Sequence, residues 1–158
     1  MTSVEIPESV TSIGDYSFYK CTGLKKIVIP NSVTSIGDSV FKSCDGLTSV
    51  VIPESVTSIG DSAFSDCANL ANVTIPNSVT SIGQWAFGSC DSLTSIVIPN
   101  SVTSIGDYSF ANCEKLENVT LSGNLTKIAK DSFCGCTGLA SIIIPESVTS
   151  IDDCAFEG

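Results

Sequence analysis

LTSIVIPNSVTSIGDYSFANCEK, residues 93–115, is the unit from which the whole chain is built, repeating with a step of 23 residues. Prolines mark one slot of it at Pro7, Pro30, Pro53, Pro76, Pro99 and Pro145, with Ser122 in the missing place. Cysteines mark a second at Cys21, Cys44, Cys67, Cys90, Cys113 and Cys136. Phenylalanines mark a third at Phe18, Phe41, Phe64, Phe87, Phe110, Phe133 and Phe156. No insertion or deletion breaks the step. The copies are 1–23, 24–46, 47–69, 70–92, 93–115, 116–138 and a shorter 139–158. A fixed period in this range is the signature of a solenoid, whose units bury their apolar faces only against one another. One domain, 1–158, is therefore expected. Neither end shows an atypical capping copy, so the chain reads as a segment of a longer array, with Met1 in an internal leucine slot.

Inside one copy the pattern is local. In Leu47–Pro53 the alternation of Val50 and Ile52 with Ser49 and Val51 predicts a strand. Pro53 has no amide to donate and ends it. Ser55–Ile59 alternates again, with Val56 and Ile59 inward. Gly60 marks a turn. Asp61 reads as an N-cap for one helical turn over Ser62–Cys67, with Phe64 and Cys67 three residues apart on one face. Leu47, Val50, Ile52, Val56, Ile59, Phe64 and Cys67 are the expected core of this coil. Parallel stacking at about 4.8 Å per coil makes seven coils roughly 35 Å long. Copy six departs most: it has Ser122 for Pro, Asn124–Leu125 for Ser–Val and Ala129 for Gly, and it gains Lys127, Lys130 and Cys134. Its apolar anchors survive, which predicts the same coil with a changed surface.

Composition excludes several function classes. The chain has 17 acidic and 7 basic residues, a net charge of −10. Every basic residue is lysine, and histidine is absent. Nucleic acid needs a basic patch, and anionic membranes attract basic segments. Neither partner is expected. No apolar run reaches the roughly 18 residues of a membrane span, and no leader is visible at Met1. Catalysis is poorly supported, because the commonest general base and the arginine clamp are both missing. The glycines occur once per coil and form no phosphate loop. No enzyme activity and no cofactor are expected.

Two columns resemble metal or redox sites. The six-cysteine ladder points its side chains alike and gives no unique pairing, and zinc wants ligands converging on a point. Buried small apolar residues are the better reading. Cys134 and Cys154 lie outside that ladder. The acidic column, Asp15, Asp38, Asp61, Asp107 and Asp153, is broken by Gln84 and Lys130. One carboxylate per coil is too few for calcium, and helix capping accounts for it. Asn72, Asn118 and Asn124 begin N-x-Thr sequons that chance explains in so Asn-, Ser- and Thr-rich a chain.

The pattern LxxIxIPxSVTSIGxxxFxxCxx resembles the BspA-like (Treponema-type) leucine-rich repeats, on Ile52-Pro53, Ser55 to Gly60 and Ala63 to Cys67. The resemblance covers the whole chain. It implies an α/β solenoid of right-handed coils with a parallel sheet on the concave side. It also implies adhesion or protein–protein contact in a surface or secreted protein, with a host matrix or cell-surface protein as partner. It supplies no site residue. The residues themselves offer two candidate protein-binding sets. Val28, Val51, Thr74, Val97, Thr120 and Ile143, continued by Glu5, form an outward stripe on the first strand. It runs beside Ser3, Lys26, Ser49, Asn72, Ser95, Asn118 and Ser141. An exposed apolar stripe with a polar border suggests an interaction surface, although β-propensity alone produces the same residues. Tyr16, Trp85 and Tyr108 share one slot, as rim anchors or as packing between coils. A spacer or self-associating rod, stacking end to end through uncapped strands, is the alternative.

Overall fold

The computed structural model describes residues 1–158. Short strands in two series repeat along the chain. The first series is β1 (Ser3–Glu5), β2 (Lys26–Val28), β4 (Ser49–Val51), β6 (Asn72–Thr74), β8 (Ser95–Val97) and β10 (Asn118–Thr120). The second is β3 (Ser35–Ile36), β5 (Ser58–Ile59), β7 (Ser81–Ile82), β9 (Ser104–Ile105), β11 (Lys127–Ile128) and β12 (Ser150–Ile151). Pairing is parallel, with each residue opposite its counterpart one copy on, as in Val50↔Val73 and Ile59↔Ile82. A bridge between Ile13 and Ile36 carries the second ladder into the first copy. The chain is thus a parallel β-solenoid. Between the two series each proline opens a tight turn, in which its carbonyl accepts the amide of the valine three residues on (Val56 to Pro53, 3.0 Å).

The core is one continuous column of 39 buried residues. All seven expected anchors of copy three, from Leu47 to Cys67, are in it. The Phe rings form a single stack from Phe18 to Phe156, with neighbouring centroids 5.2–5.6 Å apart and planes within 15°. Paired strands stand only about 4.8 Å apart.

The helical turn over Ser62–Cys67 does not exist; no helix forms anywhere. The amides alternate between two kinds of partner. Ala63, Ser65 and Cys67 donate to carbonyls three residues back, whereas Ser62, Phe64 and Asp66 donate to Gln84, Ala86 and Gly88 in the next coil. Tandem turns replace the helix because every second donor is drawn sideways. Two residues per turn region take positive φ, Ser62 at 54° and Asp66 at 59° in this copy. In the turns Gly60–Ala63 and Phe64–Cys67 these are the third residues, where a type II turn requires positive φ.

The acidic column consequently caps no helix. Asp15 Oδ1 accepts the Asp38 amide (2.9 Å), Asp38 the Asp61 amide (2.8 Å) and Asp61 the Gln84 amide (2.7 Å). Each carboxylate ties its coil to the next, and the run stops where Gln84 replaces the acid. From the second coil on, the glycines beside it have ordinary φ but no room. A Cβ on Gly83 would lie 2.6 Å from both the Gly60 carbonyl carbon and Asp61 Oδ1. Gly83→Ala is therefore expected to cost on the order of 1–3 kcal/mol, because backbone on both coils must give way. Urea midpoints measure this, and an unchanged midpoint would show that the coils are not so closely stacked.

Copy six repairs its own departures. The Ser55 and Ser78 hydroxyls donate to Val33 O and Val56 O in the preceding coils at 2.6 Å. In copy six Asn124 takes that serine slot, and the buried Ser122 hydroxyl makes the equivalent bond to Val102 O at 2.6 Å. Lys127 and Asp152, both foreign to the repeat, pair with each other at 2.8 Å.

Candidate protein-binding face

Strand alternation settles which side chains leave the core. In β4 Val50 points inward, while Ser49 and Val51 face solvent. The same rule exposes the whole stripe: Val28 at 49%, Val51 at 73%, Val97 at 61% and Ile143 at 87%, with Glu5, Thr74 and Thr120 also exposed. Glu5 faces Val28, Val51 faces Thr74 and Val97 faces Thr120 across three separate strand pairs, and Ile143 follows in the same slot of copy seven, outside any strand. Four β-branched apolar side chains, Val28, Val51, Val97 and Ile143, thus stand in water along this side, the first three of them on strands.

A groove runs alongside, between the stripe and the proline turns. Its largest section, about 520 Å³, is lined by Lys26, Val28, Asn31, Val51, Glu54 and Thr74 over a floor that includes Pro53. Further sections continue past Asn77 and Val97 and past Asn100 and Ile143. The sequence reading did not single out the residue after each proline. The signal was present: that slot holds Glu8, Asn31, Glu54, Asn77, Asn100, Gly123 and Glu146, with no apolar residue. All of them are exposed. The surface is therefore an apolar ridge beside a furrow bordered by amides and a few carboxylates. It offers burial and hydrogen bonding.

The aromatic slot is elsewhere. Tyr16, Trp85 and Tyr108 adopt φ of 59°, 56° and 58° in the tandem turns, and none of them lines the groove. Trp85 and Tyr108 stack on each other at 4.6 Å with planes 4° apart, so packing between coils accounts for this pair. Tyr16 is 59% exposed and meets Tyr19 edge-on at 5.8 Å. Ser39 and Ser62 separate it from Trp85 in the column, so the three aromatics form two patches.

The cysteine ladder is closed to chemistry. All the cysteines are free thiols, and Cys44, Cys67, Cys90, Cys113 and Cys136 are buried. Each of these donates its S–H to the carbonyl of a Phe in the preceding coil, as Cys67 does to Phe41 at 3.1 Å. Burial pushes every one of their pKa values up, to about 11 for Cys44 and Cys136 and further for the three between them. Nucleophilic thiols need the opposite.

Comparison with known proteins agrees with this geometry. The BspA type leucine rich repeat region matches residues 1–114 and 34–158, in six copies. A leucine-rich repeat protein from Bacteroides ovatus is 38% identical with a TM-score of 0.95, over 99% of this chain and 43% of its own. The leucine-rich repeat protein of T. pallidum is 34% identical with a TM-score of 0.90, over 94% of this chain and 72% of its own. One from Eubacterium ventriosum is 34% identical with a TM-score of 0.89, over 100% of this chain and 43% of its own. The chain thus spans less than half the length of the first and third. No curated protein matches it. No helix is long and apolar enough to cross a membrane.

Proposed function

The chain belongs to the BspA-type leucine-rich repeat family, and from that premise we propose that it is a non-enzymatic protein-binding module of a surface or secreted protein. Repeats of this fold are generally protein-interaction modules. The observation that carries the reading is the exposed stripe, Val28, Val51, Thr74, Val97, Thr120 and Ile143, beside its groove. Apolar side chains held out of the core with a polar border favour a protein partner. Tyr16 supplies a secondary contact at the turn edge, where it is free of coil packing. A host matrix or cell-surface protein is the class of partner this face suits.

The test is a double substitution, Val51→Asp with Val97→Asp, assayed on a panel of matrix proteins and on intact cells. Both sites are exposed, so stability should hold while binding falls by about tenfold or more, the effect of a desolvated apolar contact replaced by a charge. Binding that survives both changes would remove the stripe from the interface. A spacer that self-associates is a second reading, because the coil-to-coil bonds use main-chain groups common to every copy. A strict monomer in concentrated sedimentation runs would exclude it.

A further inference from the structure

We propose that Asp131, Cys134, Cys154 and Glu157 form a binding site for a thiophilic divalent cation of the zinc class. The repeat brings the four together. Asp131 and Cys154 occupy the aromatic slot of copies six and seven, and Cys134 and Glu157 occupy the slot three residues on. They mark the corners of a square, two slots by two coils. Earlier copies fill the same corners with Tyr16 and Tyr19, Ser62 and Ser65, or Trp85 and Gly88, which are not metal ligands as sets.

The backbone holds the corners in place. The Cys134 amide donates to Asp131 O (3.2 Å) and the Glu157 amide to Cys154 O (3.1 Å), within each coil. The Asp131 amide donates to Asp153 O (3.0 Å) and the Gly135 amide to Glu157 O (2.7 Å), between coils. A carboxylate oxygen of Asp131, the Cys154 sulfur and a carboxylate oxygen of Glu157 lie within 4.8 Å of one another. Cys134 stands at the remaining corner, in the same turn as Asp131, with its sulfur outside that 4.8 Å set.

Asp131 supplies the independent argument. It is 7% exposed, yet no lysine pairs with it. Lys130, next in sequence, is exposed. The neighbouring Tyr108 phenol offers it a hydrogen bond without charge. A buried carboxylate is costly unless a cation or several donors compensate. Here the surrounding groups are two thiols and another carboxylate, and none of them carries positive charge.

Donor type selects the ion. Two sulfurs and two oxygens suit tetrahedral zinc or cadmium, whereas calcium and magnesium want all-oxygen sets. Ligands of one zinc ion stand about 3.5 Å apart. Rotation of the exposed Cys154 and Glu157 side chains closes the difference. Binding displaces the thiol protons of Cys134 and Cys154 to solvent and forms two metal–sulfur bonds, with no change of oxidation state.

Zinc chloride titrated into the reduced chain, followed by calorimetry in buffers of different ionisation enthalpy, tests the site. Cadmium in its place reads thiolate ligation directly through charge-transfer absorption. The expected result is a single cation per chain, proton release and a raised thermal midpoint. Cys134→Ser with Cys154→Ser should abolish all three, and Glu157→Gln should weaken binding about tenfold. Both variants alter half-exposed or exposed side chains, and their urea midpoints without metal should match the parent. Absence of binding, or binding that persists in the double serine variant, overturns the proposal.

Discussion

Between pH 9 and pH 10 the chain should lose on the order of 4 kcal/mol of folding stability, an effect produced by the cysteine ladder alone. Cys67, Cys90 and Cys113 are fully buried. Their thiols donate to the carbonyls of Phe41, Phe64 and Phe87 at 3.1–3.3 Å. A thiolate there would lose its water and turn its charge toward a carbonyl oxygen. Burial is the leading reason their pKa values rise well above the ordinary range, and neighbouring thiols and Asp91 or Asp45 add to it. Below the unfolded thiol pKa of about 8.5–9 both states keep their protons, and the ladder makes no pH-dependent contribution. Above it the unfolded chain releases protons that the folded chain retains. Stability then falls by about 1.4 kcal/mol per thiol for each pH unit, until the folded pKa is reached. Three thiols give about 4 kcal/mol per unit, and Cys44 and Cys136 join in the same direction. Two such steps, about 8 kcal/mol, exceed the lower part of the usual 5–15 kcal/mol range of total stability. Urea unfolding in reductant at pH 7, 8, 9 and 10 measures the slope, and thiolate absorbance reports the native titration. Cys90→Ala should reduce the slope by about a fifth, one thiol of the five that contribute. A midpoint unchanged to pH 10, or native thiols that ionise near pH 9, would show that the ladder is wet.

What was legible in the sequence divides along the same physical line as this ladder. Every inward position, from Leu47 through Cys67 in copy three, could be read because stacking demands the same side chain in the same slot of each coil. The stripe could be read for the complementary reason: alternation in a strand sends Val51 outward once Val50 and Ile52 are inward. The turn could not. Asp61, Phe64 and Cys67 have spacings that suit a helical turn equally well, and the deciding fact is that the Phe64 amide bonds to Ala86, 22 residues away. Local reading assigns a donor to a local acceptor, and in a solenoid the competing acceptor is always a neighbouring coil. Gly60 was read as a turn residue and does open the turn Gly60–Ala63, but its close approach to Gly37 and Asp38, which excludes a side chain, is visible only once the coils are stacked. The groove lay hidden in a slot of ordinary polar residues, Asn31, Glu54, Asn77 and Asn100, whose common position matters only after the coils are stacked.

Removing one ring from the aromatic column should be the most damaging single substitution in the chain. Phe64 is fully buried, between Phe41 at 5.2 Å and Phe87 at 5.3 Å, nearly parallel to both. Its carbonyl accepts the Cys90 thiol and its amide donates to Ala86. Phe64→Ala leaves that backbone in place and deletes only the ring. The loss is the transfer energy of the side chain plus the gap left between two flat neighbours, about 3–5 kcal/mol. Stacked rings cannot easily collapse into the gap, because each coil is fixed by its own inter-coil bonds on both sides. A globular core would relax and recover part of the cost. Terminal copies have that freedom: Phe156 is 37% exposed and has one stacked neighbour, so Phe156→Ala should cost far less. In a chain of this length the interior change corresponds to a fall of roughly 6–20 °C in thermal midpoint. Nearest-neighbour coupling adds a second signature, since a solenoid weakened in one coil can unfold on either side of it. Amide exchange should therefore quicken first in copies two to four, while copies five and six keep their protection. A cost under about 1 kcal/mol would mean the ring is not part of the core, and uniform loss of protection from end to end would mean that the seven coils unfold as one unit.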